Sequence, residues 1–225
     1  MIFIAVYWTS SITSPLNIGV RHVLPTFPFI YLLVSKKIVA WLRSWPRDEI
    51  RNWWEWLKRA YQMYIASIPR YLFVSGLVIW QAASVFAVFP HFLSYYNALG
   101  GGVENGYRVA VDSNYDWGQD LKRLRDFVAS NGISAIRVDY FGGGSPRYEL
   151  GEKFIPWNSS SGYPPAGGWL AISATFQMSS YGTPVRGFIR RPEDSYEWLK
   201  PFRPVARAGK SIFIYQLPER STPSF

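Results

Sequence analysis

Residues 111–121, VDSNYDWGQDL, concentrate the side chains of this chain that could do chemistry. Asn114, Asp116, Gln119 and Asp120 stand around Trp117. That set suits a sugar, because carboxylates and amides bind hydroxyls while an indole packs on the C–H face of the ring. Asp112, Asp116 and Asp120 recur every four residues, so a helix through them would align three carboxylates on one face. Their oxygens could also hold a divalent metal, Mg or Mn, although no residue is assigned as a metal ligand. The same residues equally suit a helix start, with Ser113, Asn114 or Asp116 as cap and Trp117 as a buried anchor. Residue types alone leave site and scaffold both open.

A second candidate is Arg21 with His22, in the run NIGVRH. Arg offers a planar fork of donors and His a titratable one, a pair that could hold a phosphate. Anchoring of a membrane helix end in lipid headgroups is the plainer alternative. Gly142-Gly143-Gly144 follows a strand-like run, but it lacks dinucleotide-fingerprint spacing and reads as a turn. Gly100-Gly101-Gly102 reads as a joint between two parts of the chain. With two histidines, both beside apolar segments, and no cysteine, the sequence presents no Ser/His/Asp set, thiolate nucleophile or disulfide framework.

The elements that must position these residues fall into two halves. Residues 71–90, YLFVSGLVIWQAASVFAVFP, carry no charge over the ~20 residues needed to cross hydrocarbon. An upstream crossing is expected at about 18–35, ending where Lys36-Lys37 snorkel to the interface, after a partial helix over 1–14. Between 36 and 70 stand Lys36, Lys37, Arg43, Arg47, Arg51, Lys58, Arg59 and Arg70 against Asp48, Glu49 and Glu55. The positive-inside rule makes this basic loop cytoplasmic, its WWEWLKRAYQMYIASIPRY part lying as an amphipathic helix at the interface. Two flanking crossings then put residues 17–22, and everything after Pro90, outside the cytoplasm.

Beyond a connector over 91–115, the pattern becomes that of a water-facing domain over 116–217, followed by a tail over 218–225. A helix is expected over 116–130, stopped at Asn131-Gly132. Strands are expected over 133–141, 169–176 and 211–217, another at 107–111, and a short helix over 195–201. Residues 156–168 read as a long loop. The fold class expected is therefore membrane α-helical segments followed by a small α/β extracytoplasmic domain with a partly parallel sheet.

The net charge of +9 would suggest nucleic acid if it formed one patch on a soluble fold. Its concentration between apolar segments points instead to an anionic lipid membrane and to no nucleic-acid partner. Eleven Trp and fifteen Tyr gather near the expected boundaries, as interfacial belts do. Residues 1–6 lack the charged start and cleavage site of a signal peptide and resemble the end of a membrane helix.

The runs NIGVRHVLPTFPFIYLL and FPHFLSYYNALGGGVENGYRVAVDSNYDWGQDLKRL resemble the C-terminal part of bacterial family 39-type membrane glycosyltransferases, relatives of the protein O-mannosyltransferases. PVARAGKSIFIYQL and YFGGGSPRYELG resemble the same family's C-terminal domain. The resemblance implies a polytopic plasma-membrane enzyme moving a sugar from a polyprenyl-phosphate carrier to an acceptor on the outer face, sometimes with a divalent metal. It implies a catalytic carboxylate in the first outward loop. This chain has no Asp or Glu before Asp48, so that carboxylate has no counterpart here and no catalytic residue is assigned. Arg21 and His22 would correspond to a carrier-phosphate contact, and Asn114, Asp116, Trp117, Gln119 and Asp120 would bind sugar or acceptor. A non-catalytic, membrane-anchored binding or accessory module is the alternative expectation.

Overall fold

The computed structural model describes residues 2–13, 23–44, 52–182, 189 and 195–219, in two compact units, Met1–Phe89 and Pro90–Phe225. In the first unit, α1 (Ile2–Thr13) packs on the start of α2 (Phe27–Leu42). Phe3 meets Phe29 at 5.2 Å between ring centroids, and Trp8 Nε1 donates to Thr26 Oγ1 at 3.2 Å. The expected end of this helix at Lys36-Lys37 is corrected. The helix runs on to Leu42, because 38–42 (IVAWL) continues the apolar, helix-forming run and both Lys side chains remain exposed. Residues 18–22 lie outside the described residues.

Asn52 caps α3 (Trp53–Ala60) by accepting from Glu55 N at 3.0 Å. The chain then widens into one π-helical turn, Tyr61–Ile65, before α4 (Ile68–Ala87), which has Pro69 in its first turn where a missing N–H costs nothing. Taken together, Trp53–Ala87 is 35 residues and the one helix among those described that is long and apolar enough to cross a membrane. Trp53, Trp54 and Trp56 are exposed beside Lys58 and Arg59, so this stretch combines aromatic and basic side chains at its start. Arg70 ties the end of α2 to the start of α4: its Nη1 donates to Trp41 O, Ser44 O and Ser44 Oγ at 2.9–3.2 Å. A cation at the C-terminal end of a helix is also what the helix dipole favours.

The second unit is built on a five-stranded mixed sheet in the order β2-β1-β3-β5-β4, comprising β1 (Ile136–Asp139), β2 (Phe154–Pro156), β3 (Gly168–Ser173), β4 (Ala206–Ala208) and β5 (Ile212–Leu217). β1 runs parallel to both β2 and β3, whereas β5 runs antiparallel to β3 and β4. Alternation along the strands serves two cores. Ile136, Val138, Ala171, Ile212 and Ile214 pack with Leu121, Leu124 and Val128. Leu170, Ile172, Phe213, Tyr215 and Leu217 pack with Tyr107, Tyr115, Tyr196 and Leu199. Helices α5 (Gly102–Asn105), α6 (Leu121–Ser130), α7 (Pro146–Leu150) and α8 (Ala174–Tyr181) complete the unit. A sheet buried on both faces explains why β3 reads as a continuous apolar run.

Several local expectations are corrected. Residues 107–111 form no strand: Gly106–Arg108 is a single 3-10 turn, and Tyr107 lays its ring against Phe213 at 5.0 Å instead of joining a ladder. The strand expected over 169–176 ends at Ser173, where Ala174 N turns to Ser211 O at 2.7 Å and α8 begins. The helix expected from 116 begins only at Leu121. The short helix expected over 195–201 is a 3-10 turn, Glu197–Leu199. Residues 91–115 contribute the buried Ser94, Tyr107 and Tyr115 to this unit.

Candidate functional site

The backbone over 112–120 is an irregular loop, and its shape follows from what its carboxylates hold. A 3-10 turn, Asp112–Asn114, sets Asp112 at φ +57°, the one non-glycine residue among those described with positive φ. Asp112 O accepts from Tyr115 N and Asp116 N at 2.9 and 2.8 Å. Thr175, at the start of α8, receives Asp112 N on its Oγ1 at 3.1 Å and directs its own N–H to Asp116 Oδ2 at 3.5 Å. The left-handed conformation is thus held from two sides.

Two of the three aligned-carboxylate candidates are buried. Asp116 is fully buried, its Oδ1 accepting from Gly118 N at 3.0 Å. Burial pushes its carboxyl up to about 6, against the opposing pull of the Gly118 and Thr175 donors. Asp120 is also fully buried and sits at the N-cap position of α6 without capping it. Its Oδ2 accepts from Lys210 N, Ser211 N and Ser211 Oγ at 2.8, 2.9 and 3.0 Å, while Oδ1 accepts from Arg123 Nη1 at 2.6 Å. Asp120 therefore staples the loop and α6 to the turn between β4 and β5. That turn needs Gly209, whose φ is +58° and whose Cβ, if present, would strike the Asp120 carboxylate.

Gln119 is likewise engaged. Its Oε1 accepts from Trp117 N at 2.7 Å, and its Nε2 donates to Ser94 Oγ and Tyr115 O, both at 3.1 Å. Trp117 is not the buried anchor of the scaffold reading: it is 51 % exposed, its indole fixed by a 2.9 Å bond from Nε1 to Ser113 O. Asn114 is half-buried and Asp112 exposed. The structure thus divides the candidates into members bonded to other parts of the chain, the buried Asp116 and Asp120 with the half-buried Gln119, and members at the surface, Trp117 and Asn114 with Asp112. Arg21 and His22 lie outside the described residues. Among the described residues no three His, Cys, Asp or Glu side chains gather as a metal would need.

The loop lies against the carboxyl ends of the parallel strands β1 and β3. Tyr140 OH, just after β1, donates to Gly118 O at 2.7 Å, and Gly118 passes so close to Gly142 that a Cβ there would sit 2.8 Å from its Cα. Phe141 N donates to Ser173 Oγ at the end of β3, 2.9 Å away. The triple glycine after β1 is a turn shaped by this close approach. The carboxyl ends of parallel strands are where open α/β sheets bind ligands.

Sequence reasoning missed Asp139, Ser173, Thr175 and Tyr196. Asp139 ends β1, half-buried, and its Oδ2 accepts from Tyr196 OH at 2.6 Å. Burial raises the Asp139 carboxyl, and burial together with that carboxylate raises the Tyr196 phenol far above its ordinary range. An acid three residues before the triple glycine is no motif, so the sequence held no signal for Asp139.

Two outcomes follow. Asp120→Ala leaves the Lys210 and Ser211 amides without their acceptor and should cost about 3 kcal/mol, read from thermal unfolding of the full chain in detergent. An unchanged midpoint would contradict the staple. Asp116 has a folded pKa raised from 3.8 to about 6, so its stabilising contribution is complete below about pH 4 and is lost as pH rises through 6. Asp139 acts in the same direction. His91 and Glu104, whose pKa values are lowered, act in the opposite direction, so the readout is the difference between variant and parent. Asp116→Asn should remove the part of the stability that falls with rising pH between about 4 and 6, and an equal slope in the variant would refute the assignment. Compared with protein-family models, with curated proteins and with solved structures, the chain matches none.

Proposed function

We propose that this chain is the C-terminal portion of an integral-membrane glycosyltransferase that moves a sugar from a polyprenyl-phosphate carrier to an acceptor on the outer face of the membrane. The observation that carries the reading is the joining, in one chain, of a membrane-length apolar helix to an α/β unit whose DSNYDWG loop crosses the carboxyl ends of parallel strands. The residue-level resemblance to family 39-type transferases supports it. The sugar or acceptor would rest on the indole of Trp117, with Asn114 and the exposed Asp112 on its hydroxyls. Asp116, Gln119 and Asp120 would act as positioning residues that fix this surface. Arg21 would hold the carrier phosphate, assisted by His22. No described residue is assigned as the base that activates the acceptor hydroxyl.

A second reading is favoured by a specific observation: the buried carboxylates of the loop are spent on protein donors. A non-catalytic module that holds carrier or acceptor for another protein needs the same surface and no base. The two readings separate in membranes containing the full chain and a radiolabelled polyprenyl-phosphate hexose. Transfer of label to an acceptor is expected only when a portion supplying the catalytic carboxylate is present with this chain, and it should then fall on the order of tenfold in Trp117→Ala, equivalent to ~1.4 kcal/mol of lost stabilisation. Retention of the carrier without transfer even with that portion present, still dependent on Trp117, would favour the module. Transfer or retention indifferent to Trp117 would remove this surface from the account.

A further inference from the structure

A cavity of about 210 Å³ opens within the second unit, lined by residues 90–94 with Gln119 and Arg123. Its back wall is fixed, since Gln119 Nε2 donates to Ser94 Oγ and Ser94 Oγ in turn donates to Tyr115 O at 3.1 Å. Two side chains that suit an anion meet there. Arg123 spends one nitrogen on Asp120 Oδ1, and the other oxygen of that carboxylate is occupied by the Lys210 and Ser211 donors. The rest of the guanidinium fork remains as donor surface, on a side chain 37 % exposed. His91 lies across the same cavity, half-buried. Phe92 and Leu93, which also line it, are more than half exposed.

The size and chemistry select the ligand. The cavity is smaller than the ~300 Å³ at which pockets for drug-sized molecules begin, so it fits a headgroup and not a whole nucleotide. A guanidinium fork with an imidazole matches tetrahedral phosphate oxygens. Exposed Phe92 and Leu93 match the apolar side of a lipid interface. Four peptide steps separate His91 from Ala87, the last residue of α4, so covalent geometry keeps it within ~14 Å of that helix end.

We propose that the cavity formed by His91, Ser94, Gln119 and Arg123 binds the anionic phosphate monoester of a membrane lipid headgroup, as in phosphatidic acid, in preference to a zwitterionic phosphodiester, seating the start of the α/β unit on the bilayer. The proposal rests on a membrane crossing within Trp53–Ala87 and not on sugar transfer. Bound phosphate favours imidazolium. The His91 ring, now held below its ordinary pKa by burial and by the Arg123 and Lys210 charges, against the opposing pull of Asp120 and Glu104, should therefore titrate higher when the site is filled.

The test uses the full chain in phosphatidylcholine nanodiscs with and without phosphatidic acid, following the ring resonances of His91; the one other histidine is His22. Phosphatidic acid should shift the His91 signal saturably and raise its pKa. Arg123→Gln should weaken that binding about tenfold or more, and Arg123→Lys should restore part of it. Because Arg123 also pairs with Asp120, His91→Gln is measured in parallel by lipid retention in native mass spectrometry, and it should lose lipid with unchanged unfolding temperature. No His91 response to phosphatidic acid, or full retention by both variants, overturns the site. An equal response to inorganic phosphate at matching concentration overturns the lipid source. Release of the chain from membranes by alkaline carbonate without detergent overturns the membrane premise, whatever the outcome for sugar transfer.

Discussion

The carboxylate of Asp120 is the constraint on which the α/β unit depends. It is fully buried, yet it reaches three separate pieces of chain: its own loop, α6 through Arg123, and the β4–β5 turn through Lys210 and Ser211. A buried charge is tolerated only when its lone pairs are taken up, and here four donors do so. Everything near the candidate surface inherits its position from that arrangement. Gly209 is required beneath it, and the loop that precedes it is drawn over the carboxyl ends of β1 and β3. Trp117 is exposed as a consequence of its neighbours being used inward.

This division of labour changes how the DSNYDWGQDL block is understood. Its density of carboxylates and amides invites a reading in which all of them face a ligand. Instead, Asp116 meets Gly118 and Thr175, Gln119 meets Ser94 and Tyr115, and Asp120 meets the hairpin. A surface of few, well-fixed groups suits the proposed carbohydrate recognition, because orientation settled in advance reduces the entropy lost on binding. The same economy limits the chemistry available, since an interior carboxyl raised to about 6 has no exposed face from which to move a substrate proton.

Much of the architecture was legible because period and length carry it. The uncharged run ending near Pro90, the apolar 169–173 and the closing SIFIYQL each have a composition that admits few alternatives. That the sheet is partly parallel followed from strands alternating with helices, whereas which strands pair, β1 with both β2 and β3, did not. What was not legible depends on contacts distant in sequence. The helix start slipped from 116 to Leu121 because Asp116 and Asp120 bond to residues 59 and 91 positions away instead of to the helix. Residues 107–111 alternate like a strand, but the Tyr107 ring is needed against Phe213. Lys36-Lys37 marks a helix end only if the following apolar run is ignored. Asp139 carries no local motif, and its partner Tyr196 is 57 residues away.

The proposed function requires the α/β unit to lie outside the cytoplasm and the basic stretch before α4 to lie inside. The chain has no cysteine, so single substitutions at exposed positions report location without background. Ala135→Cys, beside β1, and Lys58→Cys, in α3, would each be treated in intact cells with a membrane-impermeant maleimide. Ala135→Cys should label at once and Lys58→Cys only after permeabilisation. The reverse pattern, or labelling of both positions alike in intact cells, would contradict it.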